Sequence, residues 1–435
     1  MADAERIAGR LEELWQIAHG PGGGADRPAY SEAEAQAMRR VAGWATELGL
    51  RPAIDRHGNL WALPEDHDGP ILTSGSHVDT VPDGGRYDGA LGTVLGLELV
   101  ADLGRGAPET GGGAVGTRDR AAHDVAPADP GARPALLVCA AEEAPRFGAG
   151  TVGSRLLAGT LSEAALAALH DAEGVSAAHA RERYLAALSD VPRIEPPLQR
   201  IRAHAEVHVA LRAGPDALGI VTRVAAPRRL EVVIDGRAGH AGEIGMDERR
   251  DALAAAAEVV LAVEAAARAA PPPTVATVGA LSISPGAVSV VPGRARLGID
   301  MRAIESAPLD RLEARIREAV ADAGARRDVR ARTTLVRGGD PVALDRDLAA
   351  RALAAAASRG VPATETWSGA GHDVQHLAAF APALLVFVPL RGGESHTPQE
   401  GAAMADVLAA ADIVADVMRT RLDAAPSPVE SIKSD

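Results

Sequence analysis

Five short segments of the chain carry residues that commonly bind divalent cations. They contain His77, Asp88, the pair Glu142 and Glu143, His208, and His396. Four of these segments end or contain a predicted strand, and the segment with Asp88 precedes a predicted helix. In open α/β sheets, ligands bind at the carboxyl ends of the strands, so we expect these side chains to converge in one crevice. Imidazole and carboxylate groups suit Zn²⁺ and related ions, so the sequence predicts a metal centre.

Two of these motifs indicate how such a centre would work. In His77-x-Asp79 both side chains point to the same side of an extended backbone, so Asp79 can hold the second ring nitrogen of His77. The adjacent carboxylates of Glu142 and Glu143 point in different directions, so one can bind metal while the other acts as general base toward water. Two ions about 3.5–4 Å apart can share a carboxylate, as in two-metal hydrolases.

Each motif taken alone is weak. An isolated Glu-Glu pair is usually a solvated surface feature, and an isolated His-x-Asp is nearly as uninformative. The interpretation therefore depends on the whole set of positions beside strand ends and glycine turns. Other histidines, in helical, loop or polar contexts, are predicted to have no role at a site: His57, His67, His123, His170, His179 and His204.

The segments around these residues predict an α/β fold. Helices are expected at 3–18 and 31–48, the second beginning with a capping box formed by Ser31 and Glu34. Helical segments separate the main expected strands, which lie at 60–63, 71–75, 135–141, 205–211 and 383–389. This alternation favours a largely parallel sheet.

Two stretches interrupt the alternation. Residues 104–134 are rich in Gly, Pro, Ala and charge and contain no aromatic residue, so we predict a flexible surface insertion. Residues 216–334 follow the order strand, helix, strand, strand, helix, which is typical of a compact α+β module. We therefore predict a first domain made of 1–215 and 335–435 and an inserted second domain at 216–334, since 435 residues exceed one ordinary core.

Composition limits the possible partners and the compartment. The formal net charge of −14 disfavours nucleic-acid binding, because nucleic-acid-binding proteins usually present a clustered basic face. The single cysteine, Cys139, has no partner for an internal disulfide, which is typical of a reducing compartment. No run approaches 18 apolar residues and the first residues lack a secretory apolar region, so we expect a cytoplasmic protein without a membrane span.

Longer motifs run in order along nearly the whole chain. They are His77-Val78-Asp79-Thr80-Val81-Pro82, Gly84-Gly85-Arg86-Tyr87-Asp88-Gly89, Glu142-Glu143, His240-Ala241-Gly242, Ser368-Gly369-Ala370-Gly371-His372-Asp373 and Ser395-His396-Thr397-Pro398. Together they resemble the hydantoinase/carbamoylase branch of the M20 metallopeptidase-like amidohydrolases. That branch includes N-carbamoyl-L-amino acid hydrolases, allantoate amidohydrolases and β-ureidopropionases. The resemblance implies an α/β fold in which a mixed-sheet di-metal catalytic domain carries an inserted α+β lid or dimerisation domain.

The resemblance also implies which residues bind metal. The ligands would be His77, Asp88, Glu143, His208 and His396, with Asp88 bridging two divalent ions. Zn²⁺ is the first candidate, and Mn²⁺, Co²⁺ and Ni²⁺ are alternatives. Glu142 would be the general base that deprotonates the attacking water, with Asp79 supporting His77.

Further roles implied by the resemblance concern substrate and subunit. In the family the inserted domain mediates homodimerisation, and His240 would reach the partner subunit's site to stabilise the oxyanion. Arg302 would bind the substrate carboxylate, for which a guanidinium fork is suited. Gly371 and His372 are further candidate substrate contacts, although a histidine flanked by glycine can simply shape its turn.

Three departures from the family pattern fall among its substrate-contacting positions. The family sequence Ile-Glu-Gln-Gly-Pro is replaced by Val209-Ala210-Leu211-Arg212-Ala213-Gly214-Pro215. Pro-Asn-Ala-Val-Asn is replaced by Pro285-Gly286-Ala287-Val288-Ser289, and Thr-Thr-Pro-Met by Glu243-Ile244-Gly245-Met246. A site built for hydrogen bonds discriminates between substrates by factors of about 10⁴–10⁵, so we expect a divergent substrate preference.

The sequence therefore predicts a metal-dependent amidohydrolase that cleaves a C–N amide or ureido bond of the N-carbamoyl type in a small carboxylate-bearing substrate. An M20 dipeptidase or aminoacylase and an enzyme that transfers the acyl group to an amine are the enzymatic alternatives. A non-catalytic dimeric binding protein is a further alternative. Such a protein would be expected to have lost metal or base residues, and all of them are present.

Overall fold

The structure is a computed structural model that describes residues 2–104, 131–210 and 216–423. It divides the chain into two compact units. The first contains Met1–Thr222, Leu344–Thr366 and His372–Asp435, and the second contains Arg223–Ala343 and Trp367–Gly371. Of the predicted flexible insertion at 104–134, residues 105–130 lie outside the described part of the chain.

The secondary-structure elements are named here in chain order. The helices are α1 (Ala4–Trp15), α2 (Glu32–Glu47), α3 (Ala90–Gly104), α4 (Val152–Leu157), α5 (Glu163–Ala168), α6 (Ala177–Ala187), α7 (Ala252–Arg268), α8 (Ser306–Arg326), α9 (Arg346–Ser358), α10 (Val374–Leu377) and α11 (Met404–Asp423). The strands are β1 (Leu50–Ile54), β2 (Leu60–Pro64), β3 (Ile71–Ser74), β4 (Arg133–Val138), β5 (Ile201–Val209), β6 (Leu218–Val224), β7 (Ala226–Asp235), β8 (Gly239–His240), β9 (Val275–Ser284), β10 (Val290–Val291), β11 (Arg294–Ala303), β12 (Arg330–Arg337), β13 (Val342–Ala343), β14 (Ala363–Ser368) and β15 (Ala383–Val388).

The first unit is built on a mixed sheet. Its strands have the order β1–β2–β4–β3–β5–β15–β6, and β14 pairs with β6. β3 is parallel to both β4 and β5, and β15 is parallel to β5. The pairs β1–β2, β2–β4 and β15–β6 are antiparallel. The mixed sheet of the predicted α/β fold is confirmed, whereas the expectation of a largely parallel sheet is wrong, because the strand pairs β1–β2, β2–β4 and β15–β6 are antiparallel.

Helix α3 anchors the core of the first unit. It is buried along nearly its whole length because its sequence, ALGTVLGLELVADLG, is apolar on all sides. Its buried acid, Glu98, forms ion pairs with Arg6 and Arg10 of α1, at 2.5 Å and 3.2 Å. A buried charge is costly unless it is paired, so this contact ties α1 to α3 in one arrangement. The segment before α3, which carries Asp88, is thereby attached to a rigid element.

The second unit contains a four-stranded antiparallel sheet with the order β12–β7–β11–β9. Strand β11 alternates along its length, as expected for a sheet covered on one face. One face is buried in a core shared with α7 and α8, and it carries Ala295, Leu297, Ile299, Met301 and Ala303. The opposite face carries Arg294, Arg296, Asp300 and Arg302.

The second unit begins at Arg223 and its inserted stretch ends at Ala343. Both limits lie later than the expected 216 and 334. Strand β12, which sequence analysis did not identify, pairs with β7 and so belongs to the sheet of this unit. None of the helices in the described ranges is long and apolar enough to span a membrane.

Candidate metal centre

The central parallel strands of the first unit bring several loops to one edge of the sheet. The residues that lie at or beyond the carboxyl ends of these strands are His77 after β3, Glu142 and Glu143 after β4, His208 in β5, and His396 after β15. Asp88 lies just before the start of α3. Since parallel strands end at a common edge, these segments are neighbours despite their separation in sequence.

His77, Asp88 and His208 form a first group of buried ligand atoms. Asp88 Oδ1 lies 3.1 Å from His208 Nε2 and 3.6 Å from His77 Nε2. The two Nε2 atoms are 3.4 Å apart. Ligand atoms bound at about 2.0–2.1 Å around a tetrahedral ion are separated by about 3.3 Å. The three atoms therefore have the spacing of ligands to one ion.

Asp88, Glu143 and His396 form a second group. His396 Nε2 lies 3.0 Å from Asp88 Oδ2 and 3.4 Å from Glu143 Oε1. Asp88 thus belongs to both groups, presenting Oδ1 to the first and Oδ2 to the second. His396 has φ 60°, a left-handed conformation that is uncommon outside glycine and recurs at functional sites.

The buried histidines are oriented by the backbone. His77 Nδ1 lies 3.1 Å from the carbonyl oxygen of Asp79, and His208 Nδ1 lies 3.1 Å from that of Val209. A carbonyl only accepts hydrogen bonds, so each ring carries a proton on Nδ1, and in the neutral form that binds metal it presents the lone pair of Nε2. Two lone pairs and a carboxylate oxygen then face one another in a buried space. A divalent cation relieves that repulsion, so these residues fit a metal ion.

Glu142 lies beside the first group, with Oε2 3.8 Å from His77 Nε2. Its backbone N–H donates to Asp79 Oδ1 at 3.1 Å, and the N–H of Glu143 donates to Asp79 Oδ2 at 2.9 Å. Sequence analysis expected Asp79 to contact the ring of His77, and its Oδ1 lies 3.4 Å from His77 Nδ1. The Asp79 carboxylate therefore fixes both adjacent glutamates as well as facing the histidine.

The surroundings shift the pKa of Asp88 in the opposite direction from the pKa values of Glu142 and Glu143. Burial raises the pKa of Glu142 well above its usual value, although the charge of His77 opposes the shift. Burial, reinforced by the charge of Asp88, raises the pKa of Glu143 to about 7. Burial alone would raise the pKa of Asp88, but the neighbouring imidazoles, above all His208, lower it well below its usual range. A carboxyl group with a raised pKa suits proton transfer, and Glu142 and Glu143 both have this property.

His372 is buried next to the centre without joining either group that contains Asp88. Its ring packs edge-on against that of His208, with centroids 4.6 Å apart, and against Phe387 at 5.4 Å. It belongs instead to a third group with Glu206 and His208. Burial and the charge of His208 lower the pKa of His372 well below its usual value, so this ring is neutral.

Three other predicted site residues lie in the second unit. His240 is an exposed residue of β8, and its Nδ1 accepts a hydrogen bond from Gly242 N–H at 3.1 Å. Arg302 Nε donates to Asp300 Oδ1 at 2.9 Å, and its Nη1 donates to the Gly369 carbonyl at 2.8 Å. Gly371 ends the short segment Trp367–Gly371 of the same unit.

Two buried glutamates that sequence analysis did not assign to the site hold its loops. Glu34 accepts a hydrogen bond at 2.8 Å from the backbone N–H of Ala141, the residue before Glu142. Glu400 accepts one at 3.0 Å from the N–H of Asp88. Burial raises the pKa of both carboxyls, that of Glu400 to about 7. The sequence signals were faint, since Glu34 is part of a capping pattern and Glu400 follows His396 within one loop.

The chain is similar to known proteins over almost its whole length. Residues 74–420 match the family described as peptidase family M20/M25/M40. An N-carbamoyl-L-amino acid amidohydrolase of Geobacillus stearothermophilus is 31% identical over 95% of this chain and 97% of its own. An allantoate amidohydrolase of Bacillus subtilis is 29% identical over 91% of this chain and 92% of its own. The crystal structure of a hydantoinase/carbamoylase family amidase from Burkholderia multivorans has a TM-score of 0.79 and 29% identity, covering 98% of this chain and 99% of that one.

Proposed function

The chain belongs to peptidase family M20/M25/M40, in its hydantoinase/carbamoylase branch, and from this premise we propose that it is a metal-dependent amidohydrolase. Its substrate is a small carboxylate-bearing molecule in which it hydrolyses a C–N amide or ureido bond of the N-carbamoyl type. The names of the relatives support this class, since they are amidohydrolases of N-carbamoyl amino acids and of allantoate. The observation that carries the proposal is the position of Asp88 between two groups of ligand atoms.

The proposed ligands of two divalent ions, with Zn²⁺ as first candidate, are His77, Asp88, Glu143, His208 and His396. Bound ions of this kind lower the pKa of water and polarise a substrate carbonyl. Glu142 is the proposed general base and acid. It takes a proton from the attacking water and delivers it to the leaving nitrogen as the C–N bond breaks. Its raised pKa and its position next to His77 support this role.

Substrate recognition is proposed to involve residues of the second unit and His372, which lies beside the centre. Arg302 is proposed to bind the substrate carboxylate, and its contacts with Asp300 and Gly369 leave part of its guanidinium fork available. His240 is proposed to stabilise the oxyanion in the site of a partner subunit. Gly371 and His372 are proposed as further substrate contacts.

The substrate is proposed to differ from an ordinary N-carbamoyl-α-amino acid. Two family amides are replaced by Gly286 and Ser289, which leaves no side chain at the first position and only a short hydroxyl at the second. Gly286 has φ 70°, and a Cβ there would meet only the Ile283 carbonyl oxygen, at 3.6 Å. Space that the family fills with an amide is thus open for a different substrate group.

A homodimer formed through the second unit completes the proposal. Strand β9 is an edge strand of the four-stranded sheet, and it exposes the apolar side chains of Val275, Leu281 and Ile283. An exposed apolar edge strand is a template for pairing with another chain. The single buried cysteine, Cys139, supports the further proposal of a cytoplasmic location.

A substrate panel tests the proposed function. The purified protein is loaded in turn with Zn²⁺, Mn²⁺, Co²⁺ or Ni²⁺ and offered N-carbamoyl amino acids, N-acyl amino acids, ureido acids and dipeptides. We expect turnover of a carbamoyl or ureido compound, and a loss of about 10²–10⁴-fold in Glu142→Gln with unchanged metal content. Preference for dipeptides would contradict the substrate class, and capture of the acyl group by an added amine would indicate transfer. If neither protein turns over any compound, the binding-protein alternative is favoured.

A further inference from the structure

Glu400 is a buried carboxylate in the loop between β15 and α11, only 6% exposed. Its Oε2 accepts hydrogen bonds from the backbone N–H groups of Tyr87 at 2.7 Å and of Asp88 at 3.0 Å. Two N–H donors that converge on one carboxylate oxygen fix the backbone strongly, because hydrogen bonds to an ionised acceptor are short and strong. The main chain of Asp88 is therefore held by a residue distant in sequence.

The Glu400 carboxylate also contacts Ser395, in the part of its own loop that carries His396. Ser395 Oγ lies 3.2 Å from Glu400 Oε1 and 3.2 Å from Asp88 Oδ2, so its hydroxyl can donate to either. Ser395 directly precedes His396. Glu400 thus joins the segment that carries the shared carboxylate to the segment that carries an exposed ligand.

The neighbouring glycine shows how closely the two segments approach. A Cβ added at Gly85 would overlap Glu400 Oε2, so a side chain at this position would displace the carboxylate. Gly85 lies in the glycine-containing segment that leads to Asp88. Residue 85 must therefore be a glycine for the Glu400 carboxylate to occupy its position.

The two groups of ligand atoms differ in how much other support they have. In the first group, His77 and His208 are buried and each is oriented by a backbone carbonyl. In the second group, the side chain of His396 is 47% exposed, and its contacts within the described residues are with Asp88 and Glu143. The second group therefore depends more on the loop that Glu400 holds.

We propose that Glu400 is a positioning residue that sets the geometry of the second group, Asp88, Glu143 and His396, and so selectively determines the affinity of the second metal ion. This inference rests on the proposed two-metal function. Residues that orient metal ligands typically contribute 10–100-fold to metal affinity. Loss of Glu400 affects the second ion more than the first, because the first ion keeps His77 and His208, which are oriented by contacts that do not involve Glu400.

Metal titration of the chelator-stripped full chain tests the proposal. Zn²⁺ is added in competition with a chromophoric chelator, and two dissociation constants are fitted. For Glu400→Ala we expect the second ion to bind about 10–100-fold more weakly and the first ion to bind within about twofold of wild type. Glu400→Gln keeps an oxygen for the two N–H donors and is expected to restore most of the affinity.

Two further variants and a control complete the design. Ser395→Ala and Gly85→Ala alter the same link without replacing a ligand, and both are expected to weaken the second ion. Gly85→Ala acts on Glu400 itself, so it decides the matter if Glu400→Ala does not fold. Asp55→Asn is the control, since Asp55 is a buried carboxylate that accepts the backbone N–H groups of His57 and Asn59. We expect it to leave both dissociation constants unchanged.

The possible outcomes distinguish a failure of the positioning role from a failure of the proposed two-metal function. Wild-type affinity for both ions in Glu400→Ala, or in both of the other link variants, overturns the positioning role and leaves the proposed function intact. Equal weakening of both ions also overturns it, because the effect would be general. A wild-type protein that binds fewer than two ions instead contradicts the two-metal function itself.

Discussion

The Asp79 carboxylate accepts the backbone N–H of Glu142 at 3.1 Å through Oδ1, while its Oδ2 accepts the N–H of the next residue. The residue before this pair, Ala141, has φ 55°, so the chain turns sharply at the point where β4 delivers its two glutamates. Asp79 stabilises that turn from the loop that follows β3. The proposed base is thus placed by a residue that does not itself lie in either group of ligand atoms.

Asp79→Asn should lower kcat by about 10–100-fold with little change in KM, because an amide provides one acceptor oxygen for two N–H donors. Steady-state kinetics with the best substrate of the panel measure the effect. Asp251→Asn is the matched control, since Asp251 Oδ1 accepts the N–H groups of Leu253 and Ala254 at the start of α7. An unchanged kcat in Asp79→Asn would show that Asp79 does not position the proposed base.

Substitution of the shared ligand Asp88 should reduce the bound metal content more than substitution of His396, which belongs to one group only. Asp88→Ala removes the carboxylate common to both groups, so we expect neither ion to be retained after dialysis. His396→Ala alters only the second group, so one ion should remain. Metal analysis by inductively coupled plasma mass spectrometry checks this, with the exposed His179→Ala as control. Equal metal contents in the two ligand variants would refute the bridging role.

Arg302→Lys should raise KM for a carboxylate-bearing substrate by about 10-fold or more, because an ammonium group cannot reproduce a bidentate fork. A substrate analogue with a carboxamide in place of the carboxylate should show little difference between wild type and variant. Arg296→Lys is the control, as Arg296 lies on the same face of β11 and pairs with Glu231. If both substrates respond equally, Arg302 does not bind the carboxylate.

Gly286→Asn should shift the substrate preference toward ordinary N-carbamoyl-α-amino acids. Asparagine tolerates the left-handed conformation found at this position, and space for a side chain is present. One regained hydrogen bond of about 1–3 kcal/mol corresponds to about 5–150-fold in kcat/KM. Gly360→Asn, in an exposed turn with φ 66°, is the control. A uniform change across all substrates of the panel would argue against a role in specificity.

His204 should make the protein sensitive to acid. Burial lowers its pKa from 6.5 to about 3, so the unfolded chain binds a proton here that the folded chain excludes. Its stabilising effect is therefore complete above pH 6.5 and is lost as the pH falls toward 3. His204→Leu should reduce the fall in unfolding free energy between pH 7 and pH 4 by about 3 kcal/mol.

Urea unfolding at the two pH values measures this effect of His204. The hydroxyl of Thr73, which contacts the ring at 3.0 Å, can still donate to the Ala203 carbonyl in the variant. His179→Leu, on the exposed surface of α6, serves as the control. An unchanged pH dependence in His204→Leu would show that another group governs the acid sensitivity.

Local sequence patterns were sufficient to predict the main elements of the fold and the candidate metal ligands. Runs of apolar residues and turn signals gave the main strands and helices, and the residues after the strands gave the candidate ligands, because ligand chemistry depends on residue type. The shared edge of parallel strands then made their convergence predictable. The roles of the individual ligands and of Glu142, which came from the family resemblance, remain proposals that the geometry supports.

The tertiary structure alone decided how the loops are held. Ser31 does cap α2, and Glu34 accepts the N–H of Tyr30, the residue before the cap. The Glu34 carboxylate also accepts the N–H of Ala141, and Glu400 binds the N–H of Asp88. These contacts join segments more than a hundred residues apart, and a lone glutamate in the sequence looks the same whether it is solvated or buried. Burial is a property of the folded chain, so the positioning residues became visible only in three dimensions.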